Sequence, residues 1–268
     1  MAQLEKDSLA EEHGLQCMEI WGGTETADAG LSVPGMDGWV TSRPFQGDAA
    51  GGDIHYVSLC GHGMLSRFLV ADVSGHGQVV ASLAAELRGL MAQYVNTPDQ
   101  TEFVSNLNQE FATLAEGGKF ATAVVTSYYS WERQLVLCNA GHPHPLWYSA
   151  ADDHWHPLHH ETAHTHEVIR NLPLGVLAQT NYEQFAVGLG RGDLVVIYTD
   201  SLVEAEAPGR AVLGESGLLE LARSIGARAP GELCRGLLAG VCEHAAGRLP
   251  NDDVTILTLR HTGAEPSA

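Results

Sequence analysis

Leu69-Val-Ala-Asp-Val-Ser-Gly-His-Gly77 decides the reading of this chain. Its apolar start reads as the end of a buried strand. Asp72 stands where the strand stops, and the glycines that follow let the backbone turn sharply into a helix. Working outward, Gly51-Gly-Asp53, Tyr198-Thr-Asp200 and Asn251-Asp-Asp253-Val-Thr repeat the device of an acid set against a β-like run. A single acid of this kind is a turn former or a cap. The set, with few cations beside it, is what a pair of hard divalent metals needs, because carboxylate oxygen and water suit Mg²⁺ or Mn²⁺.

The flanking pattern fixes how these acids are brought together. Asp53–Cys60 and Leu65–Val73 read as strands joined by the turn at Gly61-His-Gly63, a hairpin that puts Asp53 and Asp72 at the same open end. Gly38–Phe45 reads as the strand before it, and Ile20 to Gly38 as a loop packed by Trp21. Val79–Tyr94 carries apolar residues at helical spacing. Thr97-Pro-Asp-Gln100 predicts the cap of a second helix, with Phe103, Leu107, Phe111 and Leu114 on one face. Extended runs follow at 120–129, 134–139, 145–148, 183–187 and 193–198. Helices are expected at 216–225 and 230–246, and a last strand at 254–259.

Strands cluster, then helices, then strands, then helices. Strict β-α alternation is absent, which argues against a Rossmann or barrel arrangement and for an α+β fold of antiparallel sheets covered by helices. With 268 residues and 44% apolar content, one large domain with a sizeable core is expected. The organisation expected is a lead-in over 1–37 packed on the domain, the domain itself over 38–260, and a polar tail over 261–268.

Composition excludes several function classes. The 33 acidic residues against 14 Lys and Arg give a formal charge of −19, a surface that repels phosphate backbones and anionic lipid. Neither nucleic acid nor membrane is therefore an expected partner. No stretch approaches the ~20 apolar residues of a membrane span. The N-terminus lacks the layout of a signal peptide. The five cysteines (Cys17, Cys60, Cys138, Cys234, Cys242) are scattered and form no CxxC pair. The cytoplasm is the expected compartment. Six histidines between His154 and His166 fit no closed tetrahedral zinc set and read as a solvated loop. Ser74 lacks the G-x-S-x-G elbow of a hydrolase nucleophile.

The motifs Gly51-Gly-Asp53, Ala71-Asp-Val-Ser-Gly-His-Gly77, Phe120-Ala-Thr-Ala, Asn139-Ala-Gly-His-Pro143, Leu172-Pro-Leu-Gly175, Gly192-Asp-Leu-Val, Tyr198-Thr-Asp200 with Glu204-Ala205, and Asp252-Asp-Val-Thr255 occur in that order. Together they resemble the bacterial SpoIIE-like branch of the metal-dependent serine/threonine protein phosphatases, the PPM or type 2C superfamily. The resemblance runs from about Arg43 to Leu259. It implies a four-layer α/β/β/α sandwich of two antiparallel β-sheets flanked by helices, with two divalent ions, Mn²⁺ or Mg²⁺, at one end of the sheets.

Carried over by position, Asp72 bridges the ions and Val73 lends its carbonyl. Asp200 and Asp252 complete one ion's shell, with Asp253 the alternative to Asp252, and Asp53 serves the other. Arg43 sits where the family often keeps an arginine that meets substrate phosphate. His76, in the glycine turn, is the candidate general acid, and His142 is expected to shape a turn beside the site. Two positions depart from the family pattern: Ser201 where glycine usually follows the third acid, and Tyr56 where a further acid follows the Gly-Gly-Asp.

The resemblance implies hydrolysis of phosphoserine or phosphothreonine on a regulatory protein, such as an anti-sigma-factor antagonist, by a metal-bridging water. The alternative is a non-catalytic phosphatase-fold binding module in a partner-switching pathway. A third reading is a two-metal hydrolase of small phosphoesters. Only about 40 residues precede the match, so control is expected from a separate regulatory partner, from a homo-dimer or from metal supply.

Overall fold

The computed structural model describes residues 12–16, 19–60, 63–75, 77–159, 170–207, 209, 212–247 and 252–264. The described strands form two sheets. One joins, in spatial order, β1 (Glu12–Gly14), β3 (Ala27–Val33), β4 (Met36–Arg43), β13 (Val254–His261), β12 (Leu194–Tyr198), β9 (Leu146–Ser149) and β10 (His154–Pro157). The other joins β11 (Phe185–Gly188), β8 (Gln134–Ala140), β7 (Ala121–Tyr129), β6 (Leu65–Val73), β5 (Asp53–Cys60) and β2 (Ile20–Gly23). Pairing is antiparallel except between β1 and β3.

The apolar runs are continuous because both faces of each central strand are covered. On β6, Phe68 and Val70 point into the core between the sheets, where they meet Val40, Val195, Ile197 and Leu257. Leu69, Ala71 and Val73 point the other way, against Leu83 and Leu87 of α1 (Gln78–Gln93) and Phe103, Leu107 and Phe111 of α2 (Gln100–Leu114). On β12, Val196 and Tyr198 pack under Leu218 of α3 (Gly214–Ile225) and Leu233, Leu237 and Val241 of α4 (Pro230–His244). Period-2 alternation in a strand, buried twice, thus produces the α/β/β/α sandwich.

Three local expectations are corrected. Residues 20–33 are two strands rather than a loop: β2 pairs with β5 in one sheet and β3 with β4 in the other, so the lead-in is woven into both. Gly22 has φ 122° and lies so close to His55 that a side chain would clash, which hides this strand from a propensity reading. The second helix is capped by Asp99, whose side chain accepts from the Glu102 N–H at 2.9 Å, and not from Thr97. Part of the histidine-rich stretch, His154–Pro157, is the edge strand β10 paired with β9. His160, His164 and His166 lie outside the described residues, as do Cys17 and His76. Among the described residues no helix is long and apolar enough to cross a membrane.

Candidate active site

The acids meet because the start of β5, the end of β6, the end of β12 and the start of β13 fall at one end of the sandwich. The β5–β6 hairpin places Asp53 directly opposite Asp72 in antiparallel register. Both sit on the strand faces that look toward the other sheet, in step with Val57 and Val70. From that other sheet, β12 ends at Tyr198 beside the start of β13, with Tyr198 paired to Ile256. Asp200 then opens a short 3₁₀ turn, Asp200–Leu202, and Asp252 and Asp253 immediately precede β13.

Their electrostatics are those of mutually repelling carboxylates. Burial, reinforced by the charges of Asp200, Asp252, Asp253 and Glu204, pushes the Asp72 carboxyl up to about 7. Asp53 is raised by burial first and then by Asp72 and Asp253. Asp200 is raised by burial, then by Glu204 and Asp252. Among the described residues, the charged side chains that act most strongly on these three acids are carboxylates. Neighbouring acids of this kind are a candidate functional site on physical grounds.

The two acids before β13 divide sharply in role. Asp253 is buried, and its Oδ1 accepts the Phe45 N–H at 2.6 Å while Oδ2 accepts the Gly52 N–H at 2.5 Å, with the Asp53 N–H at 3.4 Å. It is a clamp on the loop that presents Asp53. The glycines of that loop follow from close approach: a Cβ on Gly51 would lie 2.4 Å from Asp253 Oδ2, and one on Gly52 would lie 3.0 Å from the Val73 carbonyl oxygen. Asp252 is exposed, and its Oδ1 accepts the Asp253 N–H at 2.9 Å.

His142 does more than shape a turn. Its Nε2 lies 2.9 Å from the Tyr198 carbonyl, which can only accept, so Nε2 carries the proton. Nδ1 is then the acceptor for the Thr122 hydroxyl at 2.8 Å, and Thr122 is the residue opposite Asp72 on β7. Burial lowers the imidazole to about 4, which keeps it neutral. Asn139 holds the turn from both sides, accepting the His142 N–H at 2.7 Å and donating to its carbonyl at 2.8 Å. This strut ties the strand beside Asp72 to the residue two before Asp200.

Of the other expected residues, Arg43 is exposed at the end of β4, opposite Val254, and its charge bears on the Cys242 thiol. Ser74 uses its hydroxyl to accept the Phe120 N–H at 3.1 Å. Tyr56 is buried under α1 and α2, facing away from Asp53, so the position of the family's further acid has become core. Ser201 is buried, with no partner for its hydroxyl among the described residues. Sequence reasoning missed Glu204 as an electrostatic neighbour and Thr199 as a hydrogen-bond donor, although both lie in quoted motifs.

The residues fit divalent ions. Asp53 Oδ1 is a buried carboxylate oxygen without a hydrogen-bond partner among the described residues, and the surrounding donor set is hard oxygen. Among the described residues no three His, Cys, Asp or Glu side chains already converge on one point, so the acids are close neighbours and not a finished cage.

This sandwich, with acids where the two sheets end together, defines the type 2C phosphatase class of fold. Residues 63–262 match the family described as Stage II sporulation protein E (SpoIIE), and the chain belongs to that family. It is similar to phosphoserine phosphatase RsbU of Bacillus subtilis (strain 168), 25% identical over 152 residues covering 56% of this chain and 41% of that protein. The structure of the RsbU and RsbW domains of a Mycobacterium tuberculosis protein superposes with a TM-score of 0.74 at 27% identity, covering 91% of this chain and 64% of that one. RsbX in complex with magnesium superposes with a TM-score of 0.63 at 16% identity, over 87% of this chain and 99% of that one, a likeness of fold. The chain thus spans about two fifths of the curated relative and just under two thirds of the mycobacterial chain.

Proposed function

We propose that this chain is a metal-dependent protein phosphatase that hydrolyses phosphoserine or phosphothreonine on a small regulatory protein in the cytoplasm. The observation that carries the reading is the opposed pair of buried Asp53 and half-buried Asp72, at the mouth of the inter-sheet core and surrounded by further carboxylates. RsbU is by name a phosphoserine phosphatase and RsbX was solved with magnesium, which supports the same chemistry here. In this reading Asp72, Asp53, Asp200, Asp252 and the Val73 carbonyl would hold the ions. Bound Mn²⁺ or Mg²⁺ would supply an activated water at neutral pH and neutralise phosphoryl oxygens.

The chain's own residues supply the rest. Asp253 is assigned to holding the Gly51-Gly52-Asp53 loop and not to an ion, because both its oxygens are taken by backbone N–H groups. His142 holds the two sheets in step behind the acids. Arg43, exposed at the same end, is assigned to the substrate phosphate. A partner-switching regulator is the substrate class this reading favours, since the mycobacterial relative carries RsbU and RsbW domains in one chain.

The test is p-nitrophenyl phosphate hydrolysis with added Mn²⁺, comparing the unmodified chain with Asp200→Asn, followed by a phosphoserine protein substrate. Turnover that requires Mn²⁺ and collapses in the variant is expected. Absence of turnover together with absence of Mn²⁺ binding by calorimetry would overturn the reading in favour of a non-catalytic binding module.

A further inference from the structure

Thr255 and Thr199, both from the opposite sheet, act on the Asp53 side chain, and Thr199 makes the close hydrogen bond. Thr199, the residue after β12, is fully buried, and its hydroxyl lies 2.9 Å from Asp53 Oδ2. Thr199 is itself fixed from β13: its N–H donates to the Thr255 carbonyl at 3.0 Å, and its Oγ1 accepts the Thr255 N–H at 2.9 Å. A hydroxyl has one proton. With a lone pair taken by the Thr255 N–H, that proton goes to Asp53 Oδ2, because the other acceptor within reach among the described residues, the Thr255 carbonyl, lies at 3.5 Å. Among the described residues Asp53 Oδ1 has no hydrogen-bond partner.

We propose that Thr199 is the positioning residue for Asp53, occupying Oδ2 from the facing sheet so that Oδ1 alone is presented to a divalent ion. The inference rests on the metal-dependent reading above. Its physical basis is the repulsion between Asp53 and the directly opposed Asp72. An unrestrained Asp53 side chain would turn away from Asp72, and the Thr199 bond opposes that rotation. The bond also crosses between the sheets, so it sets the spacing of Asp53 from Asp200, the residue following Thr199. Hydrogen-bond partners of metal-binding side chains typically change metal affinity by about 10–100-fold when removed.

The test is calorimetric titration of MnCl₂ into the chelator-stripped full chain, for the unmodified protein, Thr199→Val, Thr199→Ser, Asp53→Asn and the Thr199→Val/Asp53→Asn double variant. Circular dichroism and urea midpoints of the metal-free proteins run alongside. Thr199→Val should weaken Mn²⁺ binding by about tenfold or more, Thr199→Ser should restore it, and Thr199→Val should add nothing in the Asp53→Asn background. If Thr199→Val does not fold, Thr199→Cys, whose thiol is a weak donor, takes its place with the same expectation. Binding by the valine or cysteine variant equal to that of the unmodified protein would overturn the role of Thr199 alone. So would an equal loss with and without Asp53. An unmodified protein that binds no Mn²⁺ would overturn the metal reading itself, and the inference with it.

Discussion

Asp53 and Asp72 stand directly opposite one another across the β5–β6 ladder, two carboxylates where a sheet ordinarily places complementary or apolar partners. The fold holds like charges together at a cost in stability. Burial and neighbouring acids push the Asp72 carboxyl up to about 7. Its native form therefore binds more protons than the unfolded chain between the unfolded value near ~3.9 and about 7. The penalty is complete above that window and fades as pH falls through it. Asp72→Asn should raise the stability of the metal-free protein at pH 8 by on the order of 2–4 kcal/mol. More than half of that gain should be lost by about pH 5. Urea denaturation in chelator at the two pH values measures both, and a destabilised variant, or a gain independent of pH, would contradict the account.

The adjacent acids Asp252 and Asp253 should separate cleanly. Asp253→Ala strands the backbone N–H groups of Phe45 and Gly52, and should cost about 2–4 kcal/mol. Asp252→Ala removes an exposed side chain and should stay within about 0.5 kcal/mol of the unmodified protein while weakening Mn²⁺ binding. Denaturation midpoints and Mn²⁺ titration of the two variants, side by side, decide the assignment. Equal stability loss in both would contradict it.

How much of this was legible in the sequence depends on how local each signal is. The hairpin that opposes Asp53 to Asp72 was readable because a two-residue period and a glycine turn fix a register by counting. The apolar start at 69–71 indicated a buried strand and 193–198 a strand, and the structure places helices on one side of them and the second sheet on the other. The β2 and β3 strands were not readable. Gly, Ala and Asp are poor strand formers, and their extended conformation comes from pairing with β5 and β4, a tertiary effect. For the site, residue type picked out the acids. It could not say which of two consecutive aspartates turns inward to a loop some 200 residues away, nor that Thr199 and His142 bond across the gap between sheets.

Arg67 offers a prediction away from the acids. It is buried, lies 4.2 Å from the Phe103 ring centroid, and donates to the Thr97 carbonyl at 2.8 Å and the Val95 carbonyl at 3.4 Å. It thereby fastens the α1–α2 connection to β6. Arg67→Ala leaves those carbonyls and a cavity behind, and should cost about 3–5 kcal/mol. Hydrogen exchange should show the loss concentrated in residues 94–100. Protection there equal to that of the unmodified protein would contradict the role of Arg67 as a fastener.

His142 is a residue whose protonation the fold resists. Its Nε2–H donates to the Tyr198 carbonyl and its Nδ1 accepts from Thr122, so a second proton, on Nδ1, would face a hydroxyl already oriented to donate. Burial lowers the group to about 4, below its unfolded value near ~6.5. The stability it contributes is therefore complete above about pH 6.5 and is lost as pH falls through that window toward about 4, at about 1.4 kcal/mol per unit. Nitrogen-15 spectra should show a neutral Nε2–H imidazole still present at pH 5.5. His142→Ala should lower stability by about 2–4 kcal/mol and flatten this acid limb relative to the unmodified protein. Because the strut ends at Thr122 beside Asp72 and at Tyr198 before Thr199, the same variant should also weaken Mn²⁺ binding at pH 7.5, where the imidazole of the unmodified protein is neutral. An imidazolium signal at pH 5.5, or Mn²⁺ binding unaffected by loss of the ring, would show that the two sheets keep their spacing at the acids without it.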